Sequence, residues 1–428
     1  MSSARTSPPD ADREPRASKG GVPARRGIKE SIRSVFDPYQ AAPGGKRLAR
    51  AWRKTLHLLW PLGAVSHGNE VRVIVDGDQT FEAMWADIAR AERSVHLTTY
   101  IFEHDRVGQR TLEELVAAAK RGCRVLVVLD AFGSHRLDRT HLEPLRAAGG
   151  EVLFYNPLVA WPIRVSRLVR NHRKILVIDR CVSFCGGMNV AEEYAGSRHG
   201  TGLFRDTQLR IAGPAAHDLA TVVEELARII DGEKRQLPGQ RAEPNGDGCV
   251  VQILESPGRR RRASIQKALH TKLGRAIERC YLTSPYFVPP RALMVALCEA
   301  ARRGVDVRVL TAGRSDVPAV RLASQHLYGR LLRAGVRIFE FGPGVLHAKT
   351  GTVDGVSASV GSFNLDYWSY RRNLEVSVGV FGGAATRELE LQFDADLAGA
   401  AEVHLASWEG RSRLQRLLHW AAYQLMRL

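Results

Sequence analysis

One arrangement of three residue types occurs twice in this chain. His172, Lys174 and Asp179 stand in NHRKILVID, and His347, Lys349 and Asp354 repeat the spacing H-x-K-x-x-x-x-D in LHAKTGTVD. Small residues and an asparagine follow each copy: Gly186-Gly187-Met188-Asn189, then Gly361-Ser362-Phe363-Asn364. The copies sit inside a longer repeat. VRVIVDGDQ at 71–79 answers VVQILESPG at 250–258, and SVHLTTYIF at 94–102 answers CYLTSPYFV at 280–288. AAAKRGCRVLVVL at 117–129 answers EAARRGVDVRVL at 299–310, and RAAGGEVLFYNP at 146–157 answers RAGVRIFEFGP at 333–343. A repeat of this length restricts the chain to two similar units. Apolar strands alternate with amphipathic helical runs such as 80–92 and 264–278, which predicts βαβ units on a parallel or mixed sheet. The expected fold class is α/β: two similar α/β/α halves, related by a pseudo-twofold axis and packed sheet to sheet, with one active site at their interface.

The residue types constrain the chemistry. In a strand, positions i and i+2 face the same side. His172 with Lys174, and His347 with Lys349, are therefore expected to point together into the cleft. Asp179 and Asp354 lie seven positions from their histidines. Strand parity puts them on the opposite face or at the strand end, so they are expected to support the site rather than attack. Phosphodiester exchange through a covalent intermediate needs a nucleophile on one side of phosphorus and an acid on the other. Two imidazoles can divide that work if their surroundings push their pKa values apart. The lysines, with Asn189, Asn364 and Ser362, are candidates to hold the non-bridging oxygens. The scheme requires no metal and no cofactor, and the sequence has no metal-ligand cluster.

The paired motifs resemble the HKD motifs of the phospholipase D superfamily. Further segments, among them TTYIFEHDRVG, LDAFGSH, RDTQLRIAGPA, GRSD and LLRAGVRIFEF, resemble its bacterial cardiolipin synthase branch, in particular the short forms without transmembrane helices. The resemblance covers roughly residues 70–400 and implies two phospholipase D-like halves. It implies phosphatidyl transfer from one phospholipid, such as phosphatidylglycerol, to the alcohol of another through a phosphohistidine. By position His172 resembles the nucleophile and His347 the acid/base. The family also backs each histidine with a downstream carboxylate, for which Asp206 in FRDTQLRI and Glu375 in RRNLEV are candidates. One departure is Tyr367-Trp368-Ser369 after GSFNLD, where an Arg-Ser pair is expected; it bears on headgroup or acceptor preference. A phospholipase D producing phosphatidic acid, and a phosphodiester nuclease, are the alternative activities.

Charge and periodicity describe the ends. The net charge is +17. Residues 1–60 hold 13 Lys/Arg against 5 Asp/Glu, and residues 411–428 hold four arginines and no acid. In GKRLARAWRKTLHLLW, Leu48, Trp52, Leu56 and Leu59 recur at helical spacing among lysines and arginines, and Pro61 follows. The C-terminus repeats the design with Leu414, Leu417, Leu418, Ala421, Leu425 and Leu428, flanked by Trp420 and Tyr423. Either helix docks on the core or lies in a membrane interface. The motif-bearing middle is only mildly basic, its densest basic run being Arg259–Arg262, so nucleic acid is not expected as a partner. Anionic phospholipids, and the inner-membrane surface through the basic ends, are. Six cysteines show no metal spacing, and no stretch reaches 18 apolar residues. A peripheral protein on the cytoplasmic side of the cell membrane follows as the expectation.

The predicted organisation is a disordered basic segment at 1–45 and a basic amphipathic segment at 46–66. A first half at 67–235 carries motif 172–179, and a linker follows at 236–248. A second half at 249–400 carries motif 347–354, and a basic amphipathic C-terminal helix follows at 401–428.

Overall fold

The computed structural model describes Phe36 and residues 45–157, 169–246, 248–256 and 263–426. The sequence readings of residues 1–35 and 37–44, of Arg259–Arg262, and of Arg427 and Leu428 lie outside the described residues.

The first half contains β1 (Ala64–Ile74), β2 (Ser94–Thr99), β3 (Arg124–Asp130), β4 (Glu151–Tyr155), β5 (Ile175–Ile178), β6 (Val182–Gly186), β7 (Phe204–Arg205) and β8 (Gln208–Ala212). The second contains β9 (Cys249–Ser256), β10 (Arg279–Thr283), β11 (Asp306–Ala312), β12 (Arg337–Phe341), β13 (Val345–Leu346), β14 (Thr350–Val353), β15 (Ser357–Gly361), β16 (Glu375–Phe381) and β17 (Ala400–Val403). The halves pair their strands in the same way. β2, β3 and β4 run parallel, as do β10, β11 and β12. β5–β6–β8 and β14–β15–β16 are antiparallel meanders laid against β2 and β10. Helices cross between the parallel strands, as in Arg106–Lys120, whose first turn is capped by the Asp105 carboxylate accepting from Gly108 N at 2.9 Å.

The inner faces of the two sheets meet. Val177, Cys185, Leu209, Val360, Val376 and Val378 share one buried cluster with the helix Ala215–Asp231. The sheets are also joined along an edge, which the repeat does not announce. Ala64, Val65 and Ser66 pair with β9; past an irregularity, Glu70–Ile74 pair with β8. Gly68 turns the strand there with φ +70°, a conformation that favours glycine. All strands but two thus form one 15-stranded sheet, with β1 and β9 at the join. The remaining pair, β7 with β13, is parallel and takes one strand from each half.

The end helices differ in packing. In Gly45–Leu59, Leu48, Trp52, Leu56 and Leu59 are buried against the second half. Trp52 has no exposed surface, and its indole donates to Asp354 Oδ2 at 3.0 Å. The helix Arg413–Leu425 packs through His419, Ala422 and Tyr423, the last stacked on His326. Leu414, Leu417, Leu418 and Leu425 face outward, 52–65% exposed, with Trp420 beside them. No described helix is long and apolar enough to cross a membrane.

Candidate active site

The two H-x-K segments lie at strand entrances, not within strands as the parity argument expects. β5 begins at Ile175, after Lys174; His347 follows β13, and Lys349 precedes β14. The reason is pairing with the opposite half. His172 N donates to Leu374 O at 2.9 Å, and His347 N donates to Arg205 O at 2.8 Å. Each histidine is thus fixed by the chain just before the other half's carboxylate.

The carboxylates are exchanged accordingly. His172 Nδ1 lies 3.1 Å from Glu375 Oε2, and His347 Nδ1 lies 2.6 Å from Asp206 Oδ2. A reading along the chain joins His172 to the downstream Asp206 and His347 to Glu375; the structure crosses them. Glu375 also accepts from Ser362 Oγ at 2.5 Å and from Ser369 Oγ at 2.8 Å, and Asp206 accepts from Thr207 N at 2.7 Å. A Cβ on Gly187 would stand 2.2 Å from Asp206 Oδ1, so glycine is required beside that carboxylate.

The electrostatics join these groups into one site. Burial lowers the His172 imidazole, Lys174 and Lys349 lower it further, and Glu375 opposes them. Burial likewise lowers His347, with both lysines acting in the same direction against Asp206. Burial favours the neutral carboxyl in Asp206 and Glu375, but the facing imidazoles and lysines outweigh it and hold both below the ordinary range. The Lys174 ammonium is lowered to about 7 and that of Lys349 to about 8, burial being the largest cause in each. The result is two neutral imidazoles, each with Nδ1–H aimed at an ionised carboxylate and Nε2 left with its lone pair. Lys349 Nζ also lies 3.0 Å from His347 Nδ1, but that nitrogen cannot both donate to Asp206 and accept from the ammonium. The His347 carbonyl accepts from Lys349, as the His172 carbonyl accepts from Lys174 at 2.8 Å.

The other candidates have distinct surroundings. Asp179 is engaged away from this cluster, accepting from the backbone N–H groups of Glu92, Arg93 and Ser94. Asp354 accepts from those of Ile277, Glu278 and Arg279 and from Trp52. Both residues have left-handed backbone, φ +51° and +56°, where the strand turns back. The Asn189 amide is occupied within the first half: Oδ1 accepts from Ile101 N at 3.1 Å, and Nδ2 donates to Tyr194 OH at 2.6 Å. Asn364 donates its backbone N–H to Ser369 Oγ; its Oδ1 is buried without a hydrogen-bond partner among the described residues. The Ser362 carbonyl lies 3.1 Å from His172 Nδ1, so this residue bears on the ring as well as on Glu375.

Several residues around the site go unmarked by the motif. The Tyr100 ring stands 5.2 Å from that of His172, edge on, and Lys174 Nζ lies 5.4 Å from its centroid. Tyr194 and Phe204 each hold the His347 ring at 5.2 Å. Tyr286 OH donates to Asp316 at 2.6 Å, and the charges of Asp316 and Asp366 act on Lys349. The one available signal is that Tyr100 and Tyr286 fall at the ends of matching repeat strands.

Comparison with known proteins agrees with this architecture. Residues 84–213 and 269–397 each match the family model described as "Cardiolipin synthase, PLD-like domain". The cardiolipin synthase of Geobacillus kaustophilus is 34% identical over 366 residues, covering 84% of this chain and 72% of the relative. Cardiolipin synthase A of Pseudomonas fluorescens is 34% identical over 351 residues, covering 82% and 73%. The phosphatidylserine synthase of Haemophilus influenzae superposes with a TM-score of 0.64 at 13% identity, covering 88% of this chain and 99% of its own, and so shares the fold. The chain belongs to the cardiolipin synthase family of phospholipase D-like proteins and is a phosphatidyltransferase of that superfamily.

Proposed function

We propose that the protein makes cardiolipin by transferring the phosphatidyl group of phosphatidylglycerol to the hydroxyl of a second phospholipid. The observation that carries this reading is the pair of imidazoles, His347 buried and His172 partly so, each tethered through Nδ1 to a carboxylate of the opposite half, with Lys174 and Lys349 beside them. His172, 12% exposed against 6% for His347, is the nucleophile. Its Nε2 attacks phosphorus, the bond to the glycerol oxygen breaks, and protonated His347 gives that oxygen its proton. His347, now neutral, takes the proton of the acceptor hydroxyl. The acceptor oxygen bonds to phosphorus, and the phosphorus–nitrogen bond breaks. His347 begins neutral in the empty site; the entering phosphodiester anion raises its proton affinity, and the ring takes up a proton from solvent to reach the acid form. Lys174 and Lys349 neutralise the oxygens of the trigonal bipyramid. Asp179 and Asp354 hold the strand turns, and Ser362, Asn189 and Asn364 position rings and loops.

The protein works at the surface of an anionic membrane, peripherally and on the cytoplasmic side. The outward leucine face of Arg413–Leu425, bordered by Arg413 and Arg416, supports that contact. The six cysteines, all free, fit a reducing compartment.

The test is lipid mass spectrometry after incubation with phosphatidylglycerol vesicles, with and without phosphatidylethanolamine. Intact protein should yield cardiolipin, and His172→Ala and His347→Ala should each lose roughly a thousandfold or more. Phosphatidic acid alone would mean that water is the acceptor, which overturns the transferase assignment. Phosphate-labelled lipid should leave an acid-labile label on His347→Asn and none on His172→Asn; the reverse would exchange the two roles.

A further inference from the structure

Four large apolar side chains stand next in sequence to residues around the site, and each is 38–47% exposed: Phe132, Leu203, Val317 and Trp368. Scattered exposed hydrophobic residues are ordinary. These four are not scattered. Phe132 lies on the loop after β3 and Val317 on the loop after β11, its counterpart in the second half. Leu203 directly precedes β7 in the connection between β6 and β8, and Trp368 lies in the short helix Tyr367–Arg371 of the matching connection between β15 and β16. Each lies within two residues of a group that borders the site. Gly133, next to Phe132, packs on Tyr100, the ring that meets His172. Leu203 precedes Phe204, which holds the His347 ring. Val317 follows Asp316, whose charge acts on Lys349. Trp368 precedes Ser369, which donates to Glu375.

Cations accompany the apolar groups. The Arg372 guanidinium lies 4.5 Å from the Trp368 ring. Arg136, Arg314 and Arg371 are exposed on the same connections as Phe132, Val317 and Trp368. Apolar tips with arginines around them are the composition of a surface that enters the headgroup layer of an anionic bilayer. Against water they leave apolar area exposed around a cleft whose histidines are nearly buried.

We infer that this ring is the membrane-contacting face: Phe132, Leu203, Val317 and Trp368 dip into an anionic phospholipid bilayer and seat the mouth of the site on it. The inference rests on the phospholipid reading of the site and adds its orientation. A phosphodiester at the bilayer surface then reaches the histidines with its acyl chains still in the membrane. The exposed helix Arg413–Leu425 supplies attachment; the ring supplies alignment.

The test compares two forms of one substrate. The variant Phe132→Ser/Leu203→Ser/Val317→Ser should lose roughly tenfold or more on phosphatidylglycerol vesicles. On dihexanoyl phosphatidylglycerol below its micelle concentration it should stay within about twofold of the intact protein, since no bilayer is entered there. Equal losses on both substrates, or no loss on either, overturn the inference. A second measurement is independent of turnover. In Val317→Trp, lipids brominated near the glycerol should quench fluorescence more than in Ile229→Trp, on the helix Ala215–Asp231 and on none of these loops. Equal quenching at the two positions overturns the inference. Absent turnover of both substrates by intact protein with clear quenching at 317 would instead overturn the phosphatidyl-transfer reading and leave the membrane face standing.

Discussion

The helices Gly45–Leu59 and Arg413–Leu425 are written in the same way. Leucines and a tryptophan recur at spacings of three and four, with arginine or lysine between them. In the first, that face closes over the second half, and Trp52 reaches through to Asp354. In the second, the corresponding face points outward, and a narrower strip of His419, Ala422 and Tyr423 makes the contact. Amphipathicity fixes that a helix has an apolar face; the surface available beside it fixes where that face goes. The N-terminal helix meets an uncovered apolar area between the helix Ser264–Arg275 and the strand-end turn at Asp354. The C-terminal helix meets the helix Pro318–Arg333, whose interior side is already filled by Tyr328 and Leu331.

The largest effect that would break this comparison is on stability. Trp52→Ala removes a fully buried indole and leaves Asp354 without one donor, and should cost about 3–5 kcal/mol. A drop in denaturation midpoint corresponding to less than 1 kcal/mol would show that the N-terminal helix is not part of the core. Next comes binding. Leu414→Ser/Leu417→Ser/Leu418→Ser should weaken co-sedimentation with anionic vesicles by roughly tenfold or more while the denaturation midpoint holds. Unchanged sedimentation would remove the membrane role of that face.

Basic groups divide in the same way as apolar ones, and pH separates them. Lys174 is lowered to about 7 by burial, so between that value and its ordinary 10.5 the unfolded chain binds a proton that the folded one does not. Stability should therefore rise with pH through this window, by up to about 1.4 kcal/mol per unit for one lysine. Lys174→Met should remove the rise between about pH 7 and 8 and leave that of Lys349, lowered to about 8, above it, whereas vesicle binding through exposed arginines should not change between pH 6 and 9. An unchanged rise between about pH 7 and 8 after the substitution would assign it to other groups. The smallest effect is Leu417→Ala, expected to change stability by no more than about 0.5 kcal/mol, against a loss of about 2–5 kcal/mol for Leu56→Ala at the matching kind of position. Similar losses at both would erase the contrast.

The two halves and the two motifs were legible because they are local. A repeat of strands and helices, and H-x-K-x-x-x-x-D within it, survive as text. What the text does not carry is contact across long separations. The exchange of Asp206 and Glu375 depends on β7 pairing with β13 and on Leu374 meeting His172. For the same reason strand parity misplaces His172: its backbone bonds to the opposite half, and β5 starts three residues later. Asp179 and Asp354 sit at left-handed turns, a conformation that asparagine and aspartate tolerate but that no spacing announces. The packing direction of the end helices, likewise, is set by neighbours that periodicity does not name.

On the proposed mechanism, the crossed carboxylates also govern when the protein becomes reactive. His172 and Glu375 are 203 residues apart in the chain, and Asp206 and His347 are 141 apart. A chain emerging from the ribosome presents His172 and Asp206 early, but neither has its partner until the second half has been synthesised and docked. The site therefore reports on the completeness of the chain that holds it. A truncated or half-folded product has neither imidazole tethered to its carboxylate.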